Sequence, residues 1–225
     1  MLVYGINVLK ETKKNDIKKV FTSRNEVEKY CEVNKIKYIK VTNDYLNKLT
    51  KGNHQGVIIE VNDYNYYNLN DIDGDFVIIL DHIEDPHNFG AIIRTCAAAG
   101  IKSIIIPKDR CVKVTDTVVK TSAGTINKVK IIMVSNLIDA IKKLKKLNYY
   151  IYGAAAEGEY YQTIDYSGKK VLIIGNEGKG ISPLVKKNCD FLIGIPLKNN
   201  VESLNASVAA GILIYAGFDY DGKRL

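Results

Sequence analysis

The run Phe76-Val77-Ile78-Ile79-Leu80 decides the fold, together with the polar loop Asp81-His82-Ile83-Glu84-Asp85-Pro86-His87-Asn88-Phe89-Gly90 and the segment Ala91-Ile92-Ile93-Arg94-Thr95-Cys96-Ala97-Ala98-Ala99-Gly100 that follow it. The first five residues are apolar without alternation and bounded by polar ones, the pattern of a strand buried on both faces. A helix is expected over about 90–99, closed by Gly100 at the position of a C-terminal cap. The next strand is 103–106. The alternation then continues: helix 116–122, strand 130–134, helix 137–147, and strands 149–153 and 171–174. A short helix follows with Ser182 as N-cap and Pro183 at its first position. Strand 191–195 and a last helix over 206–217 complete the series. So regular an alternation predicts an α/β fold with a mostly parallel sheet covered by helices on both faces.

Outward from this block, residues 1–61 read as a smaller α/β unit. Strands are expected at 18–22, 38–41 and 57–61, with helices at 7–14, 25–34 and 44–51. Residues 62–74, rich in Asn, Asp and Tyr, have turn chemistry and no apolar period, which marks a linker. Tyr64, Tyr66 and Tyr67 are expected to pack against a neighbouring domain, with base stacking as the other use of such rings. The divisions are therefore 1–61, 62–74 and 75–225.

Composition sets limits. Hydrophobic residues make up 46% of the 225 and charged residues 25%, which excludes a disordered chain, a coiled coil and a collagen-like rod. No run approaches the roughly 18 apolar residues of a membrane span. The start carries neither a basic segment nor an apolar stretch of secretory length, so a soluble cytoplasmic protein is expected. Lys and Arg number 32 against 25 Asp and Glu, a formal charge of +7. Residues 1–61 hold 12 basic and 7 acidic side chains, 62–74 none and 3, and 75–225 hold 20 and 15. Two basic blocks of this kind suit a polyanion whose phosphates they would meet, nucleic acid being one such partner. Cys31, Cys96, Cys111 and Cys189 form no CxxC pair, so no structural zinc site is expected.

In such sheets ligands bind in the loops after strands. Three loops stand out. In 81–90, three acids and two histidines lack a recurring ligand spacing, so no metal is expected; Asn88 is placed to cap the following helix. Arg94 lies nearly two turns into a largely apolar helix, where a guanidinium needs an anionic or hydrogen-bonding partner. That partner is either an intradomain carboxylate or a phosphate or reacting oxygen. The second loop, Gly175-Asn176-Glu177-Gly178-Lys179-Gly180, is neither a dinucleotide fingerprint nor a P-loop, but its glycines let backbone approach a ligand closely. The third, Ile195–Ser207, feeds a helix through the capping candidates Ser203, Asn205 and Ser207. No GxSxG elbow accompanies Ser203, which argues against a serine nucleophile.

Together, Asp85-Pro86-His87-Asn88-Phe89-Gly90-Ala91-Ile92-Ile93-Arg94-Thr95, Gly175-Asn176-Glu177-Gly178-Lys179-Gly180 and Ile195-Pro196 with Ser203-Leu204-Asn205-Ala206-Ser207-Val208-Ala209 resemble the three motifs of the SpoU-type RNA ribose 2′-O-methyltransferases of the SPOUT superfamily. The resemblance covers about 75–220 in order and spacing. Tyr4-Gly5-Ile6-Asn7-Val8 and His54-Gln55-Gly56-Val57 look like that family's RNA-binding domain.

The resemblance implies a deep trefoil knot in the carboxyl-terminal part, S-adenosylmethionine bent into the knotted loops, and a homodimer in which two subunits build each site. It places cofactor contacts at Gly175, Ile195 and Leu204. It makes Arg94 the catalytic arginine, acting either as base or as a clamp on the adjacent phosphate, with Asn88, Glu177, Ser203 and Asn205 as further active-site positions. The implied reaction is methyl transfer to a ribose 2′-hydroxyl of structured RNA. A guanosine of large-subunit ribosomal RNA is the expected target, and transfer RNA the other. A catalytically silent RNA-binding paralogue acting in ribosome assembly is the alternative. One position departs from the pattern: family members often carry Gly where this chain has Asn199, so Asn199 is expected at positive φ, which Asn tolerates best after Gly.

Overall fold

The computed structural model describes residues 1–199 and 201–217. Asn200, within the third loop, and 218–225, within the expected second domain, lie outside the described residues. The amino-terminal unit contains β1 (Leu2–Tyr4), α1 (Ile6–Glu11), β2 (Ile17–Thr22), α2 (Asn25–Val33), β3 (Tyr38–Lys40), α3 (Asn43–Leu49) and β4 (Val57–Val61). Its sheet has the order β1-β4-β2-β3, with β4 antiparallel to β1 and β2. β1 carries no local signal among its residues. Three residues are too few for a period, and pairing of Leu2–Tyr4 with Ile58–Glu60 makes them a strand.

The second unit follows with β5 (Phe76–Asp81), α4 (Pro86–Ala98), β6 (Ser103–Pro107), α5 (Asp116–Thr121), β7 (Lys130–Val134) and α6 (Leu137–Lys146). It continues through β8 (Tyr150–Tyr160), β9 (Lys170–Gly175), α7 (Pro183–Lys187), β10 (Phe191–Gly194) and α8 (Ala206–Ala216). The sheet order is β10-β8-β9-β5-β6-β7, and every pairing among the described residues is parallel. Alternate residues of the apolar strands serve opposite layers, as period two dictates. Ile78, Leu80, Ile104, Leu172 and Ile174 face the core that includes α4, α5 and α8, whereas Val77, Ile79, Ile105, Val171 and Ile173 face α6 and α7.

Strand order reverses between β5 and β9. The chain runs outward from β5 through β6 and β7, then returns to build β8, β9 and β10 on the other side. Asp81 and Gly175, the last residues of β5 and β9, are paired neighbours at this switch. A crevice outside the carboxyl ends of such strands is where α/β sheets bind ligands.

The linker does not hang free. Tyr67 exchanges backbone hydrogen bonds with β7, its N–H donating to the Ile131 carbonyl at 2.9 Å and its carbonyl accepting from the Met133 N–H at 3.1 Å. The Tyr64 hydroxyl accepts from the Ile131 N–H at 3.1 Å and the Tyr66 hydroxyl from the Val114 N–H at 2.8 Å. The tyrosines thus pack against the second unit. The two units also share one apolar core, in which Val3, Val8 and Leu9 join Val118, Val119 and Ile126. Among the described residues no helix is long and apolar enough to cross a membrane.

α4 begins four residues before the expected 90. Asp85 caps it, accepting the His87 N–H at 2.9 Å, and Pro86 occupies the first turn. Gly90 therefore sits inside the helix, where α5 crosses. A Cβ there would stand 2.6 Å from Thr121 Cβ and 3.0 Å from the Val118 carbonyl oxygen. Replacing Gly gains under about 1 kcal/mol of helix propensity, whereas overpacking costs about 1–3 kcal/mol. Gly90→Val is therefore expected to destabilise, lowering Tm by about 2–8 °C at 2–4 °C per kcal/mol for this chain length. Calorimetry or thermal circular dichroism checks the sign.

Candidate active site

Moving the helix start to Pro86 changes the task of Asn88. With Asp85 as cap, Asn88 is not the capping residue that the sequence suggested; it lies buried on the first turn of α4. Its Nδ2 donates to Glu177 Oε1, and its Oδ1 accepts from Asn205 Nδ2 at 2.9 Å. A carboxylate only accepts, so Glu177 fixes which end of the Asn88 carboxamide faces it. Asn205 is the cap of α8: its Oδ1 accepts from the Ser207 N–H at 3.0 Å and the Val208 N–H at 3.4 Å. One carboxamide therefore joins side chains from three loops, after β5, β9 and β10.

The turn carrying Glu177 is built from backbone. The Gly180 N–H donates to the Asn176 carbonyl at 2.8 Å, and the Gly178 N–H to Asn176 Oδ1 at 3.0 Å. Asn176 Nδ2 reaches the His82 carbonyl at 3.2 Å. A Cβ on Gly175 would lie 2.1 Å from the Gly180 carbonyl carbon, so only glycine allows the hairpin to close. Asp81, 1% exposed, braces it further. Its Oδ2 accepts the Ser182 N–H at 2.6 Å and its Oδ1 lies 2.5 Å from His82 Nδ1. Ser182 thus precedes α7 as expected, without a side-chain capping bond.

Beside this network lies a cavity of about 540 Å³. Gly175, Ile195 and Leu204 line it, as do Glu177 and Ser203. Asn88, Arg94 and Asn205 are not among its lining residues. Arg94 is exposed on α4, on the helical ridge that also carries His87. Among the described residues it makes no ion pair, so the intradomain partner considered for it is absent there. Asn199 has φ 58, the left-handed conformation expected of it.

Sequence reasoning ended β8 at 153 and missed Ala154, Ala155 and Ala156, which form one wall of the cavity. Their small size and the close approach of β10, where a Cβ on Gly158 would stand 2.5 Å from the Ile193 backbone, keep that wall thin. The Ala triplet followed by Gly158 was the legible trace. Burial pushes the Cys96 thiol up, and those of Cys111 and Cys189 each to about 11.

The profile of the SpoU rRNA methylase family matches residues 75–215, and that of the RNA 2′-O ribose methyltransferase substrate-binding domain matches 2–67. YacO of Bacillus subtilis, assigned to the TrmH family of tRNA/rRNA methyltransferases, is 38% identical over 95% of this chain and 93% of its own. The AdoMet-bound rRNA methyltransferase from Sinorhizobium meliloti superposes with a TM-score of 0.79 at 27% identity, covering 96% of this chain and 85% of that one. The SpoU methyltransferase AviRb from Streptomyces viridochromogenes, solved with AdoMet, shares the fold, with a TM-score of 0.83 at 21% identity over 97% and 89% of the two chains.

S-adenosylmethionine fits the residues present. The cavity falls in the 300–1,000 Å³ range of small-molecule sites. Its floor is strand-end backbone at Gly175 and Gly180, and Ile195, Leu204 and Leu213 supply apolar surface. Glu157, Glu177 and Glu202 line it together with Lys179 and Lys186, a mixed set of charges that suits a ligand carrying a sulfonium, an ammonium and a carboxylate. A family profile spanning most of the chain, a relative alike over nearly its whole length and this cavity converge: the chain belongs to the SpoU rRNA methylase family and is an S-adenosylmethionine-dependent RNA methyltransferase.

Proposed function

We propose that the chain methylates a ribose 2′-hydroxyl of structured RNA, with a guanosine of large-subunit ribosomal RNA as its target. The observation that carries this reading is the Asn205–Asn88–Glu177 network beside the cofactor cavity. The substrate-binding profile over 2–67 supports a ribose 2′-hydroxyl as the acceptor, and the likeness to an rRNA methyltransferase over 96% of this chain supports ribosomal RNA as the target. Residues 1–61 bind the RNA, 62–74 link, and 75–225 catalyse.

S-adenosylmethionine supplies a methyl group already activated on a sulfonium. The remaining work is positioning an in-line attack and stabilising the oxygen as its proton leaves. Gly175, Ile195 and Leu204 hold the cofactor, chiefly through backbone. Asn88 and Asn205 orient the reacting groups, and Glu177 and Ser203 shape the pocket. Arg94 presents a planar donor fork suited to a phosphate. Holding the phosphate beside the target ribose, it also stabilises the developing alkoxide. No step asks for a metal.

Arg94 stands outside its own chain's cavity, which supports a homodimer with shared sites. α8 turns Leu213 and Ile214 inward, while Val208 is half exposed and Ile212 lies on the outer side. Such an apolar outer face suits a second copy. The position of β9 between β8 and β5, with α8 packed on α4 and β9, supports the family's trefoil threading. The setting is the cytoplasm.

Two outcomes test this. Asn205→Asp keeps the helix cap, since Asp caps as well as Asn, but removes the Nδ2 donor, so a carboxylate meets the Asn88 oxygen or Asn88 flips its oxygen toward Glu177. Methyl transfer should fall about 10–100-fold, the equivalent of 1.5–3 kcal/mol for a charged hydrogen bond, while the chain stays folded with Tm lower by about 2–12 °C for the unmatched buried group; full activity would remove the network from the mechanism. Arg94→Ala should abolish transfer and leave cofactor affinity, measured by calorimetry, within a few-fold. Mixing Arg94→Ala with Asn205→Asp subunits should then restore part of the activity through heterodimers carrying one intact shared site. No recovery after verified subunit exchange would show that each site belongs to one chain.

A further inference from the structure

A line of contacts runs from the catalytic network to the other domain. His87, exposed and adjacent to Asn88, lies with its Nδ1 3.5 Å from Thr121 Oγ1 at the end of α5. The neighbouring Lys120 holds its ammonium 4.4 Å from the centre of the Tyr4 ring in the amino-terminal unit. The Tyr4 ring in turn fills the space that a Cβ on Gly52 would need, and a Cβ on Gly5 would touch Gln55 Oε1 at 3.7 Å. The loop 52–56 is thereby seated against the same seam. Its shape is fixed locally by His54, whose Nδ1 accepts the Gly56 N–H at 3.0 Å, and by Gln55 at φ 52.

The two ends of this seam are tied together by direct contacts. Asn127 Nδ2 donates to the Glu11 carbonyl at 2.9 Å, Lys128 pairs with Glu11 at 3.1 Å, and the apolar core is common to both units. Lys120 itself makes no ion pair among the described residues, whereas Lys128, eight residues on, does. An ammonium over an aromatic face is attracted to it and held in place by that face. Because Lys120 occupies the ring, Tyr4 has one face fewer to offer a base. The seam therefore presents charge rather than a stacking platform.

We propose that this seam is an RNA-backbone track and that Lys120 grips a phosphate flanking the target ribose; this rests on the reading of the chain as an enzyme of structured RNA. The contact is to phosphate, so it positions the RNA and carries no sequence information.

Each lost phosphate contact lowers the slope of log affinity against log salt by about 0.7–0.9. The test is a salt titration of binding by the full chain to two transcripts, a large-subunit ribosomal RNA fragment and an unrelated transfer RNA. Lys120→Met, which keeps the stem, should lower the slope by that amount on both transcripts, and Lys120→Arg should restore it. Lys142→Met, on the opposite layer of the sheet, should leave it unchanged. Cofactor affinity should be the same in all three. Weaker binding by Lys120→Met with an unaltered slope would make the lysine merely structural and overturn the proposal. A change on one transcript only would mean base recognition and overturn it as well. A wild-type chain that binds neither transcript would contradict the enzymatic reading and this one together, whereas an unchanged Lys120→Met with normal RNA binding contradicts this one alone.

Discussion

The Asn88 carboxamide, holding Glu177 with its nitrogen and Asn205 with its oxygen, is the interaction on which the site depends. Each partner belongs to a different strand-end loop, so no two of the three elements α4, the β9 hairpin and α8 can shift independently. A buried polar group left unmatched costs about 1–3 kcal/mol, and here each polar end of Asn88 is matched. Asn205 binds the arrangement to the backbone, because its Oδ1 caps α8 while its Nδ2 donates to Asn88. Orientation at the reacting centre is thus tied to the packing of the helix that follows.

Close backbone approach is the second constraint. Gly175 closes the hairpin that presents Glu177, Gly90 lets α5 cross α4, and Gly158 lets β10 lie against the extended β8. Alanines at 154–156 continue the same economy of volume along the cavity wall. Space for the cavity arises where side chains are small or absent, which leaves backbone at its wall. Asp81 stabilises this from below, joining the ends of β5 and β9 through the Ser182 N–H and His82.

Much of this was legible in the residues. The unbroken apolar strands at 76–80 and 171–174 announced a parallel sheet, because burial on both faces leaves no alternation to read. Gly175 and the caps of α8 announced strand-end loops with a purpose, and Asn199 kept the left-handed turn that glycine often supplies. What was not legible depended on pairing across the sequence. β1 exists through its register with β4, and β8 runs on to Tyr160 because β10 pairs with it beyond an irregularity at Leu192/Ile193. The start of α4 was misplaced because Asp85-Pro86 reads equally as a turn and as a cap with proline in the first turn. That one shift separated Asn88 the cap from Asn88 the bridge. The exposure of Arg94 was equally hidden, since an arginine among apolar neighbours on a helix does not show which side it faces.

The two units meet through a shared core and a set of polar contacts, which on the proposed reading ties the RNA-binding part to the reacting centre. On the proposed reading, the target ribose reaches the network while flanking RNA backbone lies along the surface, and the atom that receives the methyl group is the ribose 2′-oxygen. Incubation of the full chain with isotopically labelled S-adenosylmethionine and unmodified large-subunit ribosomal RNA, followed by digestion to nucleosides and mass spectrometry, tests it most directly. The label should appear in a 2′-O-methylated nucleoside, guanosine among the four, with the adjacent phosphodiester resistant to alkali. Label on a base, or none in RNA despite bound cofactor, would contradict the account.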